Sequence, residues 1–251
     1  MRLNILQNKQ NIYIFSKLLK TNFMLKLLND IINLVYPNYC YVCNKTLINT
    51  EKIFCTDCLF KLPLTNNHLY KENETTSLFY GRANINYASS LFYYNKGSNY
   101  KVLLHNLKYK DKKEIGFELG KFLGLTIKES PYIKNIDYVV PVPLHKKKIQ
   151  QRGYNQSSYI AKGIAEIIKT KINEKTLIRT IYTKTQTKKT KIERWKNVKE
   201  VFDINNNLFN NKHILLVDDV ITTGATIEAC VNIINKKSEN TKITVTSLAI
   251  A

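Results

Sequence analysis

One stretch near the C-terminal end constrains this chain more than any other: His213 to Thr226, read as HILLVDDVITTGAT. Ile214 to Val217 is an unbroken aliphatic run with no polar alternation, the pattern of a strand buried on both faces of a parallel sheet. The run ends on Asp218-Asp219 and passes through Thr222, Thr223 and Gly224 into a helix expected from about Ala225. Strand, acidic pair, small-residue loop and helix follow in that order. Such a loop gathers backbone N–H groups and hydroxyls at a helix N-terminus, where the dipole favours an anion. Gly224 lets the backbone approach a ligand without a Cβ in the way. Two adjacent carboxylates are costly neighbours unless sugar hydroxyls or a divalent cation engage them. The plainer reading, a buried strand with an ordinary capped helix, requires neither the acidic pair nor the glycine.

A second buried-type strand is expected over Ile136 to Val142. It ends in Pro141-Val142-Pro143-Leu144-His145 and is followed by Lys146, Lys147, Lys148 and Arg152. Gly153-Tyr154-Asn155-Gln156 then leads into a helix with Ile160, Ile164, Ile167 and Ile168 on one face. A third buried strand is expected over 243–250. Together with the βα alternation from about residue 85, these elements predict an α/β fold. Its sheet is mainly parallel and twisted, with helices on both faces and the ligand at the strands' C-terminal ends. Cys230 shares a helix face with Ile227, Val231 and Ile234 and reads as a buried core thiol rather than a nucleophile.

At the other end, Cys40 and Cys43, then Cys55 and Cys58, form two C-x2-C pairs separated by 11 residues. Two such turns can aim four thiolates at one point, the donor set of a tetrahedral structural zinc ion. Turn formers Asn44-Lys45 and Asn49-Thr50, with a short strand at Ile53-Phe54, give the outline of a small N-terminal zinc ribbon. Two disulfides are the competing reading. The absence of a secretory pattern in the first residues weighs against it and sets the cytoplasm as the default location.

LLVDDVITTGAT resembles the 5-phosphoribosyl-1-pyrophosphate (PRPP) loop of type I phosphoribosyltransferases. That resemblance implies that Asp218 and Asp219 engage the ribose hydroxyls as the catalytic acidic pair. It implies that Thr222, Thr223, Gly224, Ala225 and Thr226 cradle the 5′-phosphate, and that Val142, Pro143, Leu144 and His145 form the pyrophosphate loop. Arg179, Thr183, Gln186, Arg194, Asn197 and Phe202, spaced R-x3-T-x2-Q-x7-R-x2-N-x4-F, stand where that fold places its mobile closing loop. Four front cysteines, PVPLH, RGYNQ, the Arg/Thr/Gln/Arg/Asn series and VDDVITTGAT together resemble a ComF-type protein over roughly residues 24–251. Members of that family are associated with natural competence and the uptake of single-stranded DNA. They are often labelled amidophosphoribosyltransferase-like. The resemblance implies a structural Zn²⁺, Mg²⁺ bound with PRPP, and single-stranded DNA or other competence proteins as partners. Three lysines after His145 and Tyr154 in place of the usual Phe are departures. The alternative reading is a phosphoribosyltransferase of nucleotide salvage or purine metabolism with an unidentified acceptor.

The organisation expected is an extension over 1–23, a helix with the ribbon over 24–65, and the phosphoribosyltransferase-like domain over 78–251. Met24 opens a well-patterned segment and is a candidate start. Phe15, Leu18, Leu19 and Phe23 at helical spacing suit a domain-packed helix better than a peripheral membrane contact. No apolar run approaches the roughly eighteen residues of a spanning helix.

The formal charge is +20, and between Pro141 and Lys199 lie 16 Lys+Arg against 3 Asp+Glu, a local surplus of 16 − 3 = +13. The charge thus concentrates beside the expected phosphate chemistry. Two functions of different class stand: transfer of phosphoribose, or a DNA-uptake factor whose basic stripe and tyrosines track single strands.

Overall fold

The computed structural model describes residues 37–48, 50–95, 97–181 and 201–251. The expected 1–23 extension, the helix from residue 24, and Thr183, Gln186, Arg194 and Asn197 lie outside them. Two compact units divide the chain, Met1–Thr56 and Asp57–Ala251.

In the first unit the chain turns at Asn44, whose φ of 59° is left-handed. Cys40 N–H donates to Lys45 O at 2.8 Å, and Tyr39 bridges Thr46 in antiparallel fashion. The strand expected at Ile53-Phe54 does not form; both residues sit in bends. The Glu51 carboxylate accepts from Ile48 N at 3.0 Å, Thr56 N at 2.6 Å and Thr56 Oγ1 at 2.8 Å, folding the segment back on itself instead of leaving it extended. Ile53 O still takes Tyr41 N–H at 3.0 Å, one bond in place of a ladder.

After α1 (Thr56–Phe60) and α2 (Glu74–Ser77), the second unit alternates strands and helices: β1 (Tyr87–Tyr93), α3 (Lys101–Tyr109), α4 (Lys113–Glu129), β2 (Tyr138–Pro141), α5 (Lys146–Arg152), α6 (Gln156–Ile168) and β3 (Lys171–Ile172). Then come β4 (Leu177–Arg179), β5 (Phe202–Ile204), β6 (His213–Ile221), α7 (Ala225–Lys237) and β7 (Lys242–Ile250). The main sheet has the order β1-β7-β6-β2-β3 with every pair parallel, while β4 and β5 form a separate antiparallel pair.

Strand alternation builds the two faces. Ile214 and Leu216 of β6 pack into one core with Cys230, Val231 and Ile234 of α7 and with Leu177, Phe202 and Ile204 of the β4–β5 pair. Leu215 and Val217, equally buried, point the other way. That face is covered by α6, which packs on β2 and β6 and in turn carries α4. The α4–α6 pair packs backbone against backbone. A Cβ on Gly163 would stand 2.1 Å from Phe117 O, and one on Gly120 would stand 2.3 Å from Ile160 O. Only hydrogen fits at such a crossing, which draws α6 and its first turn close to the sheet.

The polar residues buried in β7 are partnered. Thr246 Oγ1 donates to Ser89 O at 3.1 Å, Ser247 Oγ lies 2.8 Å from Ser90 Oγ, and Thr244 Oγ1 lies 2.9 Å from His213 Nε2. Among the described residues no helix is long and apolar enough to cross a membrane.

Candidate functional site

From β2 the chain runs through α5 and α6 to β3 at one edge of the sheet; from β6 it runs through α7 to β7, toward the other edge. The covering helices α6 and α7 therefore leave in opposite directions on opposite faces. A crevice opens outside the C-terminal ends of β2 and β6, the topological switch point at which α/β sheets place ligands. Pairing of β2 with β6 ends at Pro141 and Val217, with a last rung from Val142 N to Val217 O at 2.8 Å. The sequence suggested that β6 stops at Asp218. It continues to Ile221, because β7 goes on pairing with it as far as Ile250. The acidic pair thus lies where β6 has a strand neighbour on one side only.

Asp218 is half-buried. Its Oδ1 accepts from Asp219 N at 2.8 Å and from Ser157 Oγ at 3.2 Å, a hydroxyl in the first turn of α6. Desolvation, reinforced by the Asp219 carboxylate, pushes the Asp218 carboxyl up to about 7, against the lowering influence of the Asp219 N–H, Lys108 and Ser157. Asp219 Oδ2 pairs with Lys108 Nζ of α3 at 3.0 Å.

Cations from three other elements share this field. Burial, and then the charges of Arg179, Arg152 and Lys108, hold the Lys148 ammonium below its ordinary value, while Asp219 opposes them. Burial likewise lowers Arg179, with Cys230 and Asp218 acting against it. Arg179 also sits over the Phe202 ring, 5.2 Å from its centroid. Positive charges that raise one another's ionisation cost persist where an anion repays it.

Of the loop residues, Thr222, Thr223, Ala225 and Thr226 are exposed and Gly224 is buried. Gly224 has φ 74°, and a Cβ there would meet Phe79 Cε1 at 2.9 Å. Arg82 clamps the turn from outside. Its Nη1 donates to Thr223 O at 2.9 Å and Leu78 O at 3.1 Å, and its Nη2 to Glu228 Oε2 at 2.6 Å.

The pyrophosphate-loop candidates are engaged locally to differing degrees. Val142 spends its N–H on Val217 O, its carbonyl accepts from Asn155 Nδ2 at 3.0 Å, and Pro143 has no N–H. A phosphate can draw on backbone donors here only from Leu144 onward. His145 caps α5, its Nδ1 accepting from Lys147 N at 3.2 Å. Gly153 closes α5 at φ 79°, and Tyr154 Oη donates to Leu107 O, so the RGYNQ stretch positions α6.

Sequence reasoning missed Lys108, Ser157, Arg82 and Phe79. Their partners are distant in the chain, and no local spacing marks them. The glycines at 116, 120 and 124 were missed as well, although their four-residue period is visible in the chain.

The four cysteines are positioned to hold a metal ion: their sulfurs all lie within 4.8 Å of one another, with Cys43 Sγ and Cys55 Sγ 3.6 Å apart. None is in a disulfide. Burial raises the Cys40 thiol, but hydrogen bonds from the backbone of Cys43, Cys55 and Val42 outweigh it and bring the pKa to about 7, toward the thiolate that zinc requires. Four sulfurs leave no open coordination position, so the donor set suits a structural ion. Cys230 is fully buried and burial raises its thiol further, as its place on a core helix face led one to expect.

No protein-family model matches the chain. In sequence it is similar to the DNA utilization protein YhgH of Escherichia coli K12, 26% identical over 75% of this chain and 80% of the relative. It is also similar to competence protein ComFC of Bacillus subtilis, 36% identical over 36% of this chain and 34% of that one. Among solved structures it is similar to glutamine PRPP amidotransferase from B. subtilis, at 18% identity over 57% of this chain and 30% of that chain, with a TM-score of 0.39. The relatives agree with the resemblance drawn from the motifs: proteins named for competence and for the use of DNA.

Proposed function

We propose that this chain binds PRPP with Mg²⁺ in the crevice between β2 and β6 and serves natural competence, the uptake of single-stranded DNA, in the cytoplasm. The observation that carries the reading is the meeting, at the switch point of a parallel sheet, of a half-buried acidic pair, a turn with exposed threonines around a buried Gly224, and a group of mutually repelling cations. In this reading Asp218 and Asp219 take the ribose hydroxyls, while Thr222 to Thr226 hold the 5′-phosphate on the α7 N-terminus. Backbone donors from Leu144 onward, with Lys148, Arg152 and Arg179, receive the pyrophosphate. Thr183, Gln186 and Arg194, which the resemblance assigns to the closing loop, lie outside the described residues.

The donors present suit Mg²⁺, a hard cation that takes carboxylate and phosphate oxygens. When bound it would neutralise charge on the pyrophosphate. The chain's own groups orient the sugar and hold the leaving group: displacement at the ribose C1 puts negative charge on the pyrophosphate, where the cations lie. The Cys40, Cys43, Cys55, Cys58 cluster holds Zn²⁺ as a structural ion.

The test is calorimetry of PRPP with Mg²⁺ on the full chain and on Asp218→Asn/Asp219→Asn. Binding by the first and its loss in the second is expected; equal affinity in both overturns the assignment. Steady pyrophosphate release on adding one particular base would instead favour a salvage phosphoribosyltransferase.

A further inference from the structure

A cavity of about 680 Å³ lies at the opposite end of the sheet, lined in part by Tyr87, His213 and Lys242, the first residues of β1, β6 and β7. It belongs wholly to the second unit and shares no residue with the crevice at Asp218. Its volume is that of an ordinary small-ligand pocket, with space for a nucleotide unit but not for a duplex.

Aromatic, cationic and amide groups converge there. Tyr132 stacks on Tyr87 with ring centroids 5.3 Å apart and planes at 30°. Tyr87 is fixed: it is 3% exposed, and its hydroxyl, with one proton to give, lies 2.5 Å from Asn67 O and 2.8 Å from Tyr70 O. Tyr132 is 38% exposed, so it presents a ring backed by an immobile partner. Such a platform accepts a further flat π-system at little entropic cost.

Four lysines line the cavity, Lys71, Lys134, Lys212 and Lys242, against Glu72 and Asp137, a surplus of 4 − 2 = +2 with His213 neutral. Asp137 is taken by Lys212 at 3.3 Å; among the described residues no carboxylate pairs with Lys71, Lys134 or Lys242, and all three are exposed. Asn135, Asn211 and Asn240 add amide donors and acceptors from three turns, each in the left-handed conformation. All four lysines fall outside the 141–199 segment, so the charge concentrated there in the sequence does not account for them.

We propose that this cavity is a second ligand site, for a nucleotide unit of single-stranded nucleic acid or a free nucleotide. A base stacks on Tyr132, and phosphate is held by Lys134, Lys242 and Lys71. The two sources present the same chemistry, base plus phosphate. The site does not depend on PRPP binding at the other end of the sheet.

The test uses the full chain and measures anisotropy of a fluorescent oligothymidylate at two salt concentrations, with thymidine monophosphate as competitor. Lys134→Glu/Lys242→Glu and Tyr132→Ala should each weaken binding roughly tenfold or more, and the lysine pair should flatten the salt dependence. Asp218→Asn/Asp219→Asn should bind as the parent does, which separates this site from the PRPP reading. Complete competition by the monophosphate assigns a free nucleotide, and competition only by oligomers assigns a strand. Absence of binding by the parent chain, or equal binding by the lysine-pair variant with an unaltered melting curve, overturns the proposal.

Discussion

Lys108 Nζ lies 3.0 Å from Asp219 Oδ2, so a cation of α3 already engages the acidic pair that ends the ligand-facing part of β6. The charge acts on the neighbour as well, since Lys108 is one of the groups that lower the pKa of Asp218. A ligand that needs Asp218 ionised should bind more tightly as the pH rises through about 7, the value to which desolvation and Asp219 push it. Lys108→Met removes a lowering influence and should move that limb of the PRPP binding curve to higher pH. The measurement is affinity against pH for both proteins; superimposable limbs would show that Lys108 does not act on the pair.

The same carboxyl has a consequence for stability. Its folded pKa is raised, from 3.8 to about 7, so its contribution to stability is fully present below about pH 4 and is lost as the pH climbs toward 7. Asp218→Asn keeps a carbonyl to accept from Asp219 N and Ser157 Oγ but has no charge to bury. It should stabilise the protein by on the order of 2 kcal/mol at pH 8 and change little at pH 4. Paired denaturant melts at the two pH values check this, and a variant less stable than the parent at pH 8 contradicts it.

The buried strands β2, β6 and β7, the parallel sense, the α7 start at Ala225 and the cysteine cluster were legible, because each rests on a local pattern: an aliphatic run, a glycine after threonines, a repeated C-x2-C. By contrast β4 and β5, which hold Arg179 and Phe202, were read as part of the closing-loop series instead. What escaped was set by contacts distant in sequence. The end of β6 depends on how far β7 accompanies it, which nothing in VDDVI records. Ile53-Phe54 has strand-like residues, yet Glu51 gathers three donors around itself and bends the segment. Ser157 and Lys108 meet the acidic pair only through the placement of α6 and α3, and the glycines that bring α6 in face α4, remote from any motif.

That crossing gives a third expectation. At Gly163 a Cβ would stand 2.1 Å from Phe117 O and 2.7 Å from Lys121 N, both backbone atoms that cannot swing aside. Gly163→Ala should therefore cost about 1–3 kcal/mol, the usual range for overpacking, despite alanine's better helix propensity. Because Ser157 rides on the same helix, PRPP affinity should fall with it. A neutral or raised melting temperature would mean that the two helices separate at no cost.

For the cysteine cluster, Cys55→Ser should lose bound zinc and its protection of the 40–58 segment against proteolysis, while the parent releases the metal only to a strong chelator. Thiolate ligands must be deprotonated, so protons compete with the metal and zinc affinity should fall as the pH is lowered. Metal analysis of both proteins as the pH is lowered is the check; a Cys55→Ser chain that keeps its zinc contradicts the four-sulfur assignment.

Arg82 separates positioning from stability. Its guanidinium joins Thr223 O, Leu78 O and Glu228 Oε2, and so ties the turn before α7 to the segment that carries Phe79 beneath Gly224. Arg82 is exposed, so its removal leaves no buried group without a partner on its own side chain. Arg82→Met should weaken PRPP roughly tenfold, in keeping with the loss of charge-assisted bonds that hold a binding turn, while the melting temperature moves little. Arg82→Lys should recover only part of the affinity, since an ammonium is a point donor and cannot span two carbonyls and a carboxylate in one plane. Full recovery by lysine would reduce Arg82 to a source of charge, and unchanged affinity in the methionine variant would show that the turn holds its shape without the clamp.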